Sequence, residues 1–96
     1  MIVSFGDKAT AALYHGEGGK AARRIPPDVR KIALRKLDVL NGARELRDLR
    51  SPPGNRLEAL RGDLVGHHNI RVNDQWRIVF RWLEGDAHDV RVLDYH

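Results

Sequence analysis

The hydrophobic pattern of this chain changes its period once, close to Asn55, and this change constrains the fold more than any other feature. Before Asn55 the apolar residues recur at helical spacing, and after it they fall into short runs typical of strands. Helices followed by strands are typical of an α+β fold, in which the helices pack on an antiparallel sheet. Because 96 residues rarely support two cores, we predict one domain over residues 1–96.

The first part of the chain predicts a strand and two main helices. Ile2–Phe5 is a short apolar run that we expect to form a buried strand, and Asp7 is positioned to cap a small helix. The clearest helix begins near Pro27 and ends at Asn41–Gly42. Its apolar stripe consists of Val29, Ile32, Ala33, Leu37 and Leu40.

The opposite face of this helix is basic and carries Arg30, Lys31, Arg35 and Lys36. Such a face is either simply solvated or a contact surface for a nucleic-acid backbone. The net charge of +4 and the pI of about 10.0 favour an anionic partner. The absence of cysteine, and of any apolar stretch near the ~18 residues of a membrane span, leads us to expect a cytoplasmic protein that does not enter the membrane.

The part of the chain after Asn55 predicts a β-meander with turns at Asn73–Gln75 and Glu84–Asp86. The expected strands are Leu57–Leu60, His68–Val72, Trp76–Trp82 and His88–Leu93.

The register between the second and third of these strands brings two arginines together. Apolar residues alternate from Trp76 to Trp82 and face the core, so Arg77 faces the other way. A three-residue connection matches apolar with apolar residues throughout and sets Arg71 opposite Arg77. Because like charges repel there, a compensating anion is needed: either a carboxylate such as Asp94, or a phosphodiester held by the two guanidinium forks. The pattern leaves both interpretations open.

The chain closes with Asp94-Tyr95-His96, in which His96 is a candidate general acid or base. We expect no metal site, because the adjacent residues His67 and His68 point to opposite faces of a strand. No cofactor is expected either, since the glycines match no cofactor-binding pattern.

Three segments carry a family resemblance: Pro52–Asp63, Ile70–Phe80 and Asp94–His96. Together they resemble HigB-type toxins of the RelE/ParE superfamily, from bacterial toxin-antitoxin systems. The resemblance implies a RelE/ParE-like fold, with an N-terminal strand and helices packed on a concave antiparallel sheet. It also implies a metal-independent, ribosome-dependent endoribonuclease that cleaves messenger RNA during translation. The implied partners are a HigA-like helix-turn-helix antitoxin, the messenger, and the ribosome at the A site of its small subunit.

The resemblance further implies roles for single residues. Arg71 and Arg77 look like the phosphate-contacting arginines, and the last three residues look like the C-terminal catalytic cluster. The implied reaction is attack of a ribose 2′-hydroxyl on the adjacent phosphorus. In it, His96 acts as acid or base, Tyr95 orients or stacks on a base, and Asp94 orients the imidazole.

One strand departs from the family pattern, because Glu58-Ala59-Leu60-Arg61 stands where some members carry a His and a Lys. Glu58 could replace the missing base, but Glu58 and Arg61 face opposite sides of an ideal strand, and we expect Arg61 at the site as an RNA contact. The basic helix face is an expected ribosomal RNA contact or the antitoxin surface. Two alternatives remain: a ParE-like inhibitor of DNA gyrase without catalysis, and a degenerate homologue that only binds antitoxin.

Overall fold

A computed structural model describes residues 1–94, in which two α-helices precede an antiparallel sheet. The helices are α1 (Lys8–Tyr14) and α2 (Pro27–Gly42). The strands are β1 (Glu58–Ala59), β2 (His67–Arg71), β3 (Trp76–Leu83) and β4 (Asp86–Asp94), in the spatial order β1-β2-β3-β4. The predicted α+β class and the meander are therefore confirmed. None of the helices within this range is long and apolar enough to cross a membrane.

The N-terminal segment lies along the outer edge of β4 in parallel orientation. Ile2 and Phe5 bridge Ala87 and Val90 there, and the Val3 amide donates to the Ala87 carbonyl at 2.9 Å. The prediction of a buried strand is wrong in its degree of burial, because Ile2 and Phe5 are only half-buried. The reason is its edge position, which leaves one side of the segment open to solvent.

Helix α1 is tied to the sheet by a buried hydroxyl group. Asp7 caps the helix as predicted, because its carboxylate accepts a hydrogen bond from the Thr10 amide at 2.8 Å. The Thr10 side chain is fully buried, and its hydroxyl accepts from the Val92 amide of β4 at 2.8 Å. This bond gives a partner to a backbone N–H that would otherwise be buried and unpaired.

Helix α2 packs its apolar stripe on one side of the sheet, which we call the core face. Its first residue is Pro27, as predicted, and the stripe is buried except for the half-buried Ile32. The core that it forms with the sheet includes Leu37, Leu40, Ile70, Ile78, Phe80 and Val92. The other side of the sheet, which we call the polar face, carries Arg71 and Arg77.

The connection from α2 to β1 is held by the buried side chain of Asn55. Its Nδ2 donates to the carbonyls of Leu49 and Ser51 at 3.1 and 3.2 Å, and its Oδ1 accepts from Lys36 Nζ. Burial, with a smaller contribution from Arg35, lowers the pKa of Lys36 below its ordinary value. All polar groups of the amide therefore have partners.

The predicted register of β2 and β3 is confirmed. Ile70 lies opposite Ile78 on the core face, and Arg71 lies opposite Arg77 on the polar face. Asn73 fixes the three-residue connection, because its Oδ1 accepts from the amides of Gln75 and Trp76 at 2.8 and 2.7 Å.

Replacement of Thr10 by Val removes the acceptor of the Val92 amide and nearly preserves the side-chain shape. We expect Thr10→Val to lower the free energy of unfolding by about 1–3 kcal/mol, because the amide is left buried and unpaired. Urea denaturation followed by circular dichroism measures the change. The matched control is Thr10→Ser, which keeps the hydroxyl and loses about 1 kcal/mol with its methyl group. Wild-type stability of Thr10→Val would contradict this role.

Replacement of Asn55 by Ala leaves two carbonyls and the Lys36 ammonium without their partner. We expect a loss of about 1–3 kcal/mol of unfolding free energy in the same assay. The exposed change Lys20→Ala serves as control and should stay within about 0.5 kcal/mol of the wild type. If both variants unfold at the same urea concentration, Asn55 does not hold the connection.

Candidate active site

Two adjacent rows of side chains cross the polar face of the sheet. The first row, next to the β2–β3 hairpin, is Arg71, Arg77 and Leu93. The second row, one step away from the hairpin, is Glu58, Asn69, Val79 and Arg91.

The centre of the second row is closed to solvent. Val79 and Asn69 are 0% and 1% exposed, although neither belongs to the core between the helices and the sheet. A register shift between Val79 and Arg81 marks a β-bulge, and bulges bend a sheet. The centre of the polar face, at Val79 and Asn69, is therefore a closed part of the sheet next to this bulge.

The two arginines of the first row find their compensating groups inside the hairpin. Arg71 forms an ion pair with Asp74, and Arg77 Nη1 donates to the backbone carbonyls of Asn73 and of Trp76, the latter at 3.2 Å. The predicted need for a compensating anion is met for Arg71, but by Asp74 and not by Asp94. The Asp74 side chain is 97% exposed, so an incoming anion can replace it at little cost.

Asp94 lies on the other side of the sheet from this pair. It pairs with Trp76, whose side chain is in the core, whereas Arg77 pairs with Leu93. Gln75 Nε2 donates to Asp94 Oδ2 at 2.9 Å. The interpretation of Asp94 as the neutralising carboxylate of Arg71 and Arg77 is therefore wrong, because the register alternates faces and Asp94 follows Leu93. Tyr95 and His96 lie outside the described residues, so their catalytic roles and the orienting role of Asp94 stay predictions.

Glu58 takes the position on the polar face that we expected for Arg61. It pairs with Asn69, which places it in the second row. β1 ends at Ala59, so the alternation that was expected to separate Glu58 from Arg61 does not reach Arg61. Arg61 is exposed at the start of a short 3₁₀ helix, Gly62–Leu64. Both side chains line one shallow depression along β1.

The predicted basic face of α2 divides into two parts, both behind the sheet. Arg30 and Lys31 line a groove between α2 and the loop after α1, and Arg35 lines another beside Pro52. Lys36 also lines the second groove but is half-buried and bound to Asn55. Because α2 packs on the core face, none of these residues joins Arg71 and Arg77.

Three further polar residues of this face were assigned no role from the sequence: Asn69, Arg81 and Arg91. The alternation along the second and third predicted strands does place Asn69 and Arg81 on the same face as Arg71 and Arg77, and the register confirms it. Arg81 Nε donates to Asp89 Oδ2 at 2.8 Å, and the Asp89 amide donates to Ser4 Oγ at 2.8 Å. Strict alternation in the last strand would have found Arg91, but no sequence signal reveals the bulge or the left-handed conformation of Asp89 (φ 52°).

The two adjacent histidines lie on opposite faces, as predicted. His67 pairs with Arg81 and His68 with Phe80, on which the His68 ring stacks at a centroid distance of 6.1 Å. Burial, with a smaller contribution from His67, lowers the pKa of His68. Across residues 1–94, no three His, Asp or Glu side chains converge in a way that could hold a metal ion.

A statistical model of one protein family matches residues 3–96, and that family is described as "RelE-like toxin of type II toxin-antitoxin system HigB". The chain is 44% identical to Toxin HigB-1 of Vibrio cholerae, over 91% of its own length and 90% of the relative. It is 34% identical to Endoribonuclease HigB of Proteus vulgaris over the full length of both proteins. It is 35% identical to an uncharacterised protein of Haemophilus influenzae, over 81% of this chain and 76% of the relative.

The match of the family model over almost all of the chain agrees with the helices and the antiparallel sheet described above. The chain belongs to the HigB-like family of RelE-like toxins from type II toxin-antitoxin systems.

Proposed function

We propose that this toxin is an endoribonuclease that cleaves messenger RNA on the translating ribosome, in the cytoplasm. The observation that carries the proposal is the pair Arg71 and Arg77, which face each other on the side of the sheet opposite the core that α1 and α2 form. Two planar guanidinium groups at this spacing suit the oxygens of a phosphodiester. The name of the Proteus vulgaris relative, Endoribonuclease HigB, supports the same activity.

The proposed reaction is a transesterification followed by release of the downstream RNA. The ribose 2′-oxygen loses its proton to a base and bonds to phosphorus, while the bond from phosphorus to the 5′-oxygen breaks. The 5′-oxygen takes a proton from an acid, so the products are a 2′,3′-cyclic phosphate and a 5′-hydroxyl. These proton transfers balance the reaction without a metal or a redox cofactor.

Each step has a candidate residue in this chain. Arg71 and Arg77 stabilise the charge that grows on the phosphoryl oxygens of the transition state. His96 serves as acid or base, and Tyr95 positions or stacks on a base. Asp94 orients the imidazole from the end of β4, although its own position faces away from Arg71 and Arg77. Glu58, which its pairing with Asn69 puts on the polar face, is the second candidate base.

The ion pair between Arg71 and Asp74 gives the site a resting state. Asp74 neutralises Arg71 until a phosphate displaces it. Because Asp74 is exposed, breaking this ion pair costs little free energy. Arg77 donates to backbone carbonyls and keeps its full positive charge, since carbonyls carry none.

Recognition of the ribosome is proposed to involve the basic residues behind the sheet and beside β1. Arg30, Lys31 and Arg35 contact the phosphates of the ribosomal RNA that forms the A site, and Arg61 contacts the messenger. Lys36 is left out of this set because its ammonium group is bound to Asn55. A type II toxin also has an antitoxin partner, and we propose a HigA-like helix-turn-helix protein.

Replacement of Arg77 by Ala is expected to reduce cleavage of messenger RNA about 10²- to 10³-fold, because one stabiliser of the transition state is lost. The assay is a reconstituted translation reaction in which RNA ends are mapped by primer extension. Arg77→Lys keeps one charge and should retain partial activity, which separates loss of chemistry from loss of the hairpin. Arg47→Ala, an exposed arginine away from the polar face, is the matched control. Undiminished cleavage by Arg77→Ala, or arrest of DNA replication with intact messenger, would refute the proposal.

Replacement of Asp74 by Asn frees Arg71 from its internal partner. We expect the affinity for messenger-programmed ribosomes to rise about two- to fivefold, in line with the small energy of an exposed ion pair. The change should be largest at low salt, where charge competition is least screened. The control Asp63→Asn alters an exposed carboxylate outside the sheet by the same charge. A weaker affinity of Asp74→Asn would show that Asp74 assists binding instead of competing with it.

A further inference from the structure

We propose that the second row of the polar face is a nucleotide subsite beside the scissile phosphate, in which Arg91 binds a neighbouring phosphate and Asn69 reads the nucleotide above Val79. This inference rests on the proposed function and assigns residues that the mechanism above does not use.

The register makes both residues neighbours of Arg77. Arg77 pairs with Arg71 of β2 on one side and with Leu93 of β4 on the other. Asn69 lies two residues before Arg71, and Arg91 lies two residues before Leu93. Diagonal neighbours of this kind are about 7–8 Å apart across a sheet. Successive phosphates of an RNA strand have a comparable spacing, so a strand bound at Arg77 reaches Arg91 with its next phosphate.

Within residues 1–94, Arg91 differs from the other arginines of this face in having no hydrogen-bond or ion-pair partner. Arg71 pairs with Asp74 and Arg81 with Asp89, whereas Arg91 makes no ion pair or hydrogen bond within residues 1–94. It is half-buried, so its position is defined by packing and not by charge. A half-buried, unpaired guanidinium beside an anion site is available to a second phosphate without the loss of an existing bond.

Gly6 defines the position of Arg91. A Cβ atom at Gly6 would overlap Arg91 Cγ, and it would lie 2.6 Å from Arg91 Cδ and 2.9 Å from the Asp89 carbonyl oxygen. The stem of Arg91 therefore lies directly on the glycine backbone, and any side chain there would displace it. Gly6 is a positioning residue for Arg91, placed at the edge of the sheet by the bond from its amide to the Val90 carbonyl at 2.9 Å.

Asn69 supplies the second observation. Its side chain is 1% exposed, and its Oδ1 has no hydrogen-bond partner. Its neighbours in the row are the carboxylate of Glu58, which only accepts, and the apolar Val79, so neither donates to it. Amino groups and ring N–H groups of bases are donors of the required kind. The exposed Glu58 side chain must swing aside for a base to reach the amide over Val79.

The test of Arg91 is binding to ribosomes programmed with a messenger that carries a 2′-O-methyl ribose at the scissile position, which the proposed chemistry cannot cleave. Arg91→Gln should weaken binding about three- to tenfold and lower the slope of log affinity against log salt by about 0.7, the contribution of one phosphate. Arg23→Gln, an exposed arginine outside the sheet, should leave both values unchanged. Equal behaviour of the two variants would overturn the phosphate contact.

The test of Gly6 is a double-mutant cycle in the same assay. Gly6→Ala should weaken binding as much as Arg91→Gln does, but it should have no further effect in the Arg91→Ala background. If Gly6→Ala weakens binding equally in both backgrounds, its effect is general and the positioning role is overturned.

The test of Asn69 combines stability with specificity. Asn69→Leu replaces an amide whose buried Oδ1 has no partner by an apolar side chain of similar size, so the free energy of unfolding should be unchanged or higher. The same variant should change which codons are cut, with at least about a tenfold loss at the preferred ones, in mapped RNA ends from a translation reaction. A destabilised variant, or an unchanged pattern of cuts, would overturn this assignment.

Measuring Arg77→Ala in the same assays distinguishes failure of the proposed nuclease function from failure of the proposed subsite. Wild-type cleavage by Arg77→Ala would mean that the nuclease function itself is wrong. Loss of cleavage with Arg77→Ala, together with unchanged binding and codon choice in the second-row variants, would remove only the subsite.

Discussion

The pairing register of β2 and β3 is the constraint on which the rest of the structure depends. Side chains alternate with a period of two, so a shift of β2 by one residue against β3 would send Ile70 to solvent and Arg71 into the core. The Asn73 side chain removes this freedom, because its two hydrogen bonds to Gln75 and Trp76 define a connection of three residues. One short turn therefore selects which face packs on the helices and which face carries the arginine pair that we propose binds RNA.

The core face stabilises the fold, whereas the polar face carries the residues that we propose for the activity. The core face holds the apolar residues that α1 and α2 cover, whereas the polar face gathers arginines whose mutual repulsion opposes folding. The hairpin reduces this cost through Asp74 and through carbonyls that accept from Arg77. Because each of these partners is either exposed or uncharged, the site stays positively charged while the fold remains stable.

Sequence reasoning predicted the parts of this protein that follow from local periodicity. The helix from Pro27, the cap at Asp7 and the arginine pair all depend on spacings within a few residues or on one hairpin. Sequence reasoning failed where the position of a side chain depends on where a strand ends. β1 ends at Ala59, so Glu58 and not Arg61 lies in the second row of the polar face. Asp94 directly follows Leu93, the partner of Arg77, so strand alternation turns Asp94 to the opposite face. The burial of Lys36 against Asn55 and of Arg91 against Gly6 joins distant segments, so no local pattern reports either contact.

The docking of the N-terminal segment on β4 determines when this protein can complete its fold during synthesis. Val3 and Gly6 find their backbone partners at Ala87 and Val90, and Thr10 finds its partner at Val92, all contacts of high sequence separation. None of them can form until β4 has left the ribosomal exit tunnel. A nascent chain therefore carries α1 and Gly6 before their partners on β4 are available, and the arginine surface is complete only after β4 has emerged. A chain whose synthesis stops before β4 therefore lacks the folded arginine surface.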